Sequence, residues 1–345
     1  LSSHIAWFDA VRIEDRPRVG GKGASLGELR RAGIDVPPGF VVTTDAFRHF
    51  AAGEGTRRER EALEAAAIPE TIASAVARAY AALCDEAAAE AGVGAEGIGA
   101  ETGAGARGLP VAVRSSATSE DAADASFAGL QDTYLWVRGD SDVLAALRRC
   151  WASLYSESAV AYRARLALRD DDIAMGVVIQ RMVNPRAAGV MFTRSPQSGD
   201  PSVVAICASY GLGSAVVGGE VTPDEFVVNK VTGVVQKTTI SDKALRHVPS
   251  DDGSGTREEP VPEALRSQPA LDAAELSALT EIGRRIEKHY GCAQDIEWAV
   301  DAGGRIFVLQ SRPETVWNAR DRATAATPKA TSFEHVLSFF GTKRE

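Results

Sequence analysis

Near the end of the chain, the run QDIEWAVDAGGRIFVLQSRP (residues 294–313) reads as two short strands around a Gly303–Gly304 turn. On the first strand Asp295, Glu297 and Ala299 share a face, opposite Ile296, Trp298 and Val300. On the second, Ile306, Val308, Gln310 and Arg312 are expected to share one. A loop of Gly303–Gly304 alone sets Glu297 directly across from Gln310. A loop of residues 301–304 sets Glu297 across from Val308 and diagonal to Gln310. Either even-length loop keeps Glu297, Gln310 and Arg312 on one side of the sheet, whereas an odd loop scatters them. A carboxylate and an amide oxygen are hard ligands for magnesium, and a guanidinium beside them pairs with phosphate oxygens. The same pattern also suits an ordinary salt bridge on a solvated sheet face.

Two further segments carry residue types suited to phosphate. VGGKGASLGEL (residues 19–29) has neither Rossmann nor P-loop spacing, but its glycines could form a backbone nest with Lys22 as a point charge, or simply a turn. Arg114 ends an apolar run and precedes the small-residue loop SSATSEDAADASFAG, a position suited to clamping phosphate under a cover, or to a surface arginine.

The elements that must position these groups follow from pattern and breakers. Pro37 and Pro38 exclude helix and lead into a strand, GFVVTT. Residues 45–91 carry apolar side chains at helical spacing, with Ile68, Ile72 and Val76 four apart and Pro69 suited to a first turn. Strands are expected from Pro110 to Arg114, over FAGLQDTYLWV and in AMGVVIQRMV. Between the last two lies a helix with Asp142 as its cap and Leu144, Leu147, Trp151 and Leu154 on one face. Past Gly189 the chain is strand-rich, with a hairpin turn at Val231–Gly233, a polar loop from Pro249 to Pro262 and a helix from Asp272 to Tyr290. The class is α+β with antiparallel hairpins.

With 345 residues, 45% of them apolar, the chain can bury a sizeable core, and its net charge of −9 argues against a general nucleic-acid binder. Four widely spaced cysteines form neither a zinc knuckle nor a disulfide scaffold. No signal peptide or apolar run of about 20 residues is present, so no membrane partner and a cytoplasmic location are expected.

Taken together, VGGKGASLGELRRAGIDVPPGFVVTT, AVRSSATSEDAADASFAGLQDTYLWV, CWASLYS and QDIEWAV…LQSRP closely resemble the nucleotide-binding domain of phosphoenolpyruvate synthase, pyruvate phosphate dikinase and rifampicin phosphotransferase. The resemblance runs in order over residues 5–316 and implies an ATP-grasp fold of two lobes enclosing Mg-ATP: residues 1–190 and 191–318, followed by a linker and helical tail, 319–345. It implies that Lys22 and Arg114 contact phosphates, that Gly129 and Thr133 belong to the covering segment, and that the stretch Gln180 to Val183 meets adenine through its backbone. Glu297 and Gln310 take the place of the magnesium and ribose-phosphate ligands, with Arg312 as the adjacent clamp. No role is assigned to Lys243.

Members of this family pass phosphate from ATP to a histidine on a swivelling domain. Of the five histidines here only His335 faintly suggests that motif, and it lacks the glycines that precede it in the family. The resemblance therefore implies an ATP-binding subunit that forms AMP and phosphorylates a histidine on a separate subunit or domain. That partner would phosphorylate a small molecule, as in the split enzymes that act on phenol or cresol. The alternatives are a nucleotide domain excised from a longer enzyme, a stand-alone ATP-grasp ligase and a non-catalytic ATP-binding regulator; the intact Lys22, Arg114, Glu297, Gln310 and Arg312 weigh against the last.

Overall fold

The structure is a computed structural model describing residues 4–53, 59–92, 108–118, 121–122, 125–126, 132–165, 173–315 and 317. Gly129, His335 and the tail expected over 319–345 lie outside the described residues.

In chain order the first half contains β1 (Ile5–Trp7), α1 (Arg16–Arg31), β2 (Gly39–Val42), α2 (Thr44–Ala51), α3 (Arg60–Ala65), α4 (Glu70–Ala91) and β3 (Val111–Ala117). There follow the two-residue strands β4 (Asp121–Ala122) and β5 (Ala125–Ser126), then β6 (Thr133–Val137), α5 (Asp140–Ser153), α6 (Glu157–Arg165) and β7 (Met175–Arg181). The second half begins with β8 (Pro185–Phe192), β9 (Val203–Tyr210), α7 (Ser214–Val217), β10 (Asp224–Asn229) and β11 (Val235–Thr239). It ends with β12 (Leu245–Pro249), β13 (Thr256–Pro260), α8 (Glu263–Arg266), α9 (Ala273–Tyr290), β14 (Gln294–Asp301) and β15 (Ile306–Pro313).

The strands form a five-stranded sheet, ordered β1-β2-β7-β3-β6, and a six-stranded one, ordered β11-β10-β9-β8-β14-β15. Both are antiparallel throughout, as the α+β reading requires. The chain leaves the first sheet after Arg181 and enters the second at Pro185. On one face of the first sheet, Phe40, Val42, Val111, Val113, Val177 and Ile179 pack against α2–α5 around the fully buried Trp151. A second core joins Val41 and Val178 to Leu26 and Leu29 of α1, and continues to Met191, Ile206, Ile296, Trp298 and the apolar stripe of α9. Helix α1 is therefore the joint between the two sheets, and it also lies against β15.

The glycine-rich segment is part of this joint. α1 is broken at Gly20 (φ +74°), so the helix restarts just ahead of Lys22. A Cβ on Gly20 would lie 1.9 Å from the Ser116 carbonyl oxygen, so only glycine admits this approach of helix to strand. Ser116 secures the contact, its hydroxyl donating to Val19 O and accepting from Gly23 N.

Other expectations are corrected in detail. Gly139, with φ +78°, is the N-cap of α5, and Asp142 stands in the first turn, where its charge favours the helix dipole without capping it. The polar stretch 249–262 contains β13, paired with β12 in a hairpin whose charged, half-exposed side chains conceal the strand pattern. The β14–β15 loop is three residues long, 302–304, closed by Asp301 N donating to Arg305 O, with Gly304 at φ +81°. That odd loop turns Ile306 and Val308 to the core, not to the face of Gln310 as expected. A bulge at Leu309 then restores the register, pairing Trp298 with Val308 but Glu297 with Gln310 and Asp295 with Arg312. Two one-residue shifts cancel, so Glu297, Gln310 and Arg312 still share a face.

Candidate nucleotide cleft

A cavity of about 370 Å³ opens between the sheets. Its walls come from β3 (Ala112, Arg114), β6 (Thr133, Leu135), the crossing Gln180–Val183, the Leu212–Gly218 segment around α7, β14 (Glu297–Ala299) and Leu309 of β15. The alternation of β3 explains the first wall: Val111 and Val113 fill the helical core while Ala112 and Arg114 point the other way.

Arg114 organises the polar end. One terminal nitrogen donates to Leu309 O at 3.0 Å, the carbonyl at the bulge. The other donates to Glu297 Oε2 at 2.8 Å and Gln310 Oε1 at 2.6 Å. Its Nε is buried and has no partner. The guanidinium thus makes three bonds to the opposite sheet, is held by a carboxylate and an amide, and keeps one buried donor without a partner. Arg312 lies next along the same face, paired with Asp295 Oδ2 at 2.8 Å. Burial raises the Asp295 carboxyl above its ordinary value, and the Arg312 charge only partly opposes that.

The expected residues divide accordingly. Arg114, Thr133, Gln180, Val183 and Glu297 line the cleft, and Gln310 reaches it through Arg114. The Gln180 side chain turns away to Pro37 O at 3.4 Å, leaving the crossing strand's backbone at the wall. Arg312 and Lys22 stand outside the lining, Lys22 at the restarted end of α1, where its charge is felt at the buried Cys150 thiol. Sequence reasoning missed the Leu212–Gly218 wall. Its signal was the glycine run GLGSAVVGG between two strands, which marks close backbone approach.

The donor set suits magnesium and a nucleoside triphosphate. Glu297 and Gln310 offer hard oxygens beside an orphaned guanidinium donor, and the remaining walls are largely apolar side chains and strand backbone, suited to a flat base. Among the described residues no helix is long and apolar enough to cross a membrane.

The family model for the pyruvate phosphate dikinase AMP/ATP-binding domain matches residues 16–332. A probable phosphoenolpyruvate synthase of Methanothermobacter thermautotrophicus is 38% identical across 91% of this chain and 46% of its own length. That of Staphylothermus marinus is 40% identical across 94% of this chain and 43% of its own. A rifampicin phosphotransferase of a Streptomyces species is 43% identical across 86% of this chain and 34% of its own. The chain thus spans less than half the length of these curated relatives.

Proposed function

The chain belongs to the family of the pyruvate phosphate dikinase AMP/ATP-binding domain, and from that premise we propose that it is the nucleotide-binding part of a dikinase-type phosphotransferase, holding Mg-ATP between its lobes in the ATP-grasp manner. We put the lobe boundary at the crossing 182–184, a little ahead of the 190/191 division expected from sequence. The base lies against the Gln180–Val183 crossing, and the phosphates lie toward Arg114, Thr133 and Glu297. The observation that carries this reading is Arg114, which lines the cleft bound to Glu297, Gln310 and the Leu309 carbonyl, with its buried Nε unpaired.

Glu297 and Gln310 would hold magnesium, which would supply charge neutralisation for the phosphates. Arg114 then exchanges its bonds to Glu297 and Gln310 for phosphate oxygens, and Arg312 and Lys22 add positive charge from the rim. Phosphoryl transfer is mainly positioning and neutralisation, so these groups suffice once an acceptor is in line. The acceptor we infer is a histidine on a separate subunit or domain. That histidine takes the β- and γ-phosphoryl groups as AMP leaves, water releases the terminal one as orthophosphate, and the remaining β-phosphoryl passes to a small molecule; a phenol or cresol is the class we favour, by analogy with split enzymes of this architecture.

The test is incubation with Mg-ATP labelled at the β-phosphate, alone and with a lysate of the source organism, followed by alkaline gel electrophoresis. Label on a second polypeptide, stable to base and lost in acid, together with AMP, is the expected result. ADP as product with no labelled protein would overturn it in favour of a ligase.

A further inference from the structure

We propose that Glu220, His247 and Glu258 form a binding site for a divalent transition metal of the zinc class, built behind the Leu212–Gly218 wall of the cleft. One ligand atom from each of the three lies within 4.8 Å of the others. The three come from separate pieces of chain brought together by the fold. His247 and Glu258 are directly opposed across the β12–β13 hairpin, and Glu220 follows α7.

The histidine is oriented as a ligand should be. Its Nε2 lies 2.9 Å from Glu220 Oε2, while its Nδ1 lies 2.8 Å from the Ser214 hydroxyl. With Nδ1–H donating to Ser214, the tautomer that metal-bound histidines adopt through an outer hydrogen bond, Nε2 would present its lone pair to an ion held with the two carboxylates. The backbone is fixed as well: His247 O accepts from Leu212 N at 2.9 Å. Glu220 is folded back over Gly218, where a Cβ would meet its Oε1 at 2.7 Å.

The electrostatics call for a cation. Among the described residues neither Glu220 nor Glu258 pairs with a lysine or arginine. The hairpin's basic side chains, Arg246 and Arg257, bond instead to Glu259 and Asp251. Two carboxylates and one imidazole form an N,O,O donor set that leaves positions for water. The nitrogen selects zinc-class ions over magnesium or calcium. The His247 side chain is 14% exposed and that of Glu220 50%, which gives the ion a way in. Bound metal would fasten the hairpin to α7, and through Ser214 to the cleft wall. None of this rests on the nucleotide reading.

The whole chain, stripped with chelator and held in excess magnesium to occupy hard-oxygen sites, is titrated with zinc by calorimetry, with cobalt as the spectroscopic probe. We expect one saturable site per chain, lost in both H247Q and E258Q and weakened about tenfold in S214A, the usual effect of losing an outer hydrogen bond. Zinc should raise the melting temperature of the wild type and of neither ligand variant. Circular dichroism of E258Q, at a solvent-facing strand position, separates loss of site from loss of fold. Absence of saturable zinc binding by the wild type, unchanged affinity in H247Q and E258Q, or a cobalt–thiolate charge-transfer band tracing the metal to cysteine would each overturn the proposal.

Discussion

Lys243 and Arg114 are both cations held against a carboxylate from another strand, and they are finished in opposite ways. Lys243 Nζ reaches Asp224 Oδ1 at 2.6 Å with both side chains fully buried, and it also donates to Ser241 O at 3.0 Å. Both Asp224 oxygens are engaged in turn, accepting from Ser241 N and Ala270 N as well. Arg114 is only slightly more exposed, yet its Nε has no partner and its carboxylate, Glu297, is 27% exposed. The closed pair, with both side chains fully buried, is out of reach of a ligand. The open one lines the cleft, with a partly exposed carboxylate and a guanidinium nitrogen that has no partner. A buried charge pair becomes a candidate site by what it leaves unsatisfied, and not by its burial.

The largest effect should come from breaking the closed pair. Lys243→Met strands the Asp224 charge in the core and should cost about 3–5 kcal/mol of stability, read from denaturant unfolding. Adding Asp224→Asn should recover part of it, because the amide oxygen still accepts from the backbone while the charge is gone. A loss below about 1 kcal/mol in the single variant would mean that water reaches the pair, erasing the contrast.

Arg114→Ala should do the reverse, lowering ATP-dependent labelling by about 10²- to 10³-fold while moving the unfolding midpoint little. Arg114→Lys should recover little activity, since one ammonium cannot replace two terminal nitrogens aimed at Leu309 O and at Glu297 with Gln310. Equal labelling by wild type and Arg114→Ala would remove this residue from the proposed chemistry.

These two cations were not equally legible in the sequence. Arg114 reads as the end of a strand before a loop of small residues, but β3 runs on to Ala117 and places it mid-strand. Glu297 meets Gln310 only because the odd loop and the bulge at Leu309 cancel, not because plain alternation held. Lys243 carried no signal, because a buried lysine is defined by an aspartate 19 positions away. The same limit explains the hairpin at β12–β13 and the bulge at Leu309: both depend on which strands pair, a non-local fact that local pattern does not encode. Helices with strong apolar stripes, such as α9 behind its Asp272 capping box, were readable almost residue by residue. The glycine run was readable as special but not as a helix joint, since its partner Ser116 is far along the chain.

Lys22 tests how far the open region extends. It sits beyond the cavity lining at the restart of α1, so Lys22→Ala should weaken ATP binding by about tenfold, roughly 1.4 kcal/mol. The melting temperature should hardly change. Unchanged ATP affinity by equilibrium dialysis would confine the phosphate region to Arg114 and its neighbours.

The smallest effect should come from Tyr290, whose hydroxyl joins the lobes without a charge. It lies 3.4 Å from both the hydroxyl and the carbonyl oxygen of Ser25 in α1, and the Ser25 hydroxyl donates to Ser311 O in β15 at 2.7 Å. Contacts this long contribute well under about 1 kcal/mol, so Tyr290→Phe should be nearly silent at neutral pH. Alkali should expose it. Burial pushes the Tyr290 phenol up to about 12, whereas in the unfolded chain it ionises near about 10. The folded value is the higher one, so this contribution is fully present below about pH 10 and is lost as pH rises through about 12, because the unfolded chain gives up its proton first. Wild type should therefore lose more stability than Tyr290→Phe across that interval, while the other tyrosines titrate alike in both proteins and cancel. Parallel urea midpoints for the two proteins through the alkaline range would mean that the phenol is already open to solvent, and that the joint at α1 is looser than the closed pair at Lys243.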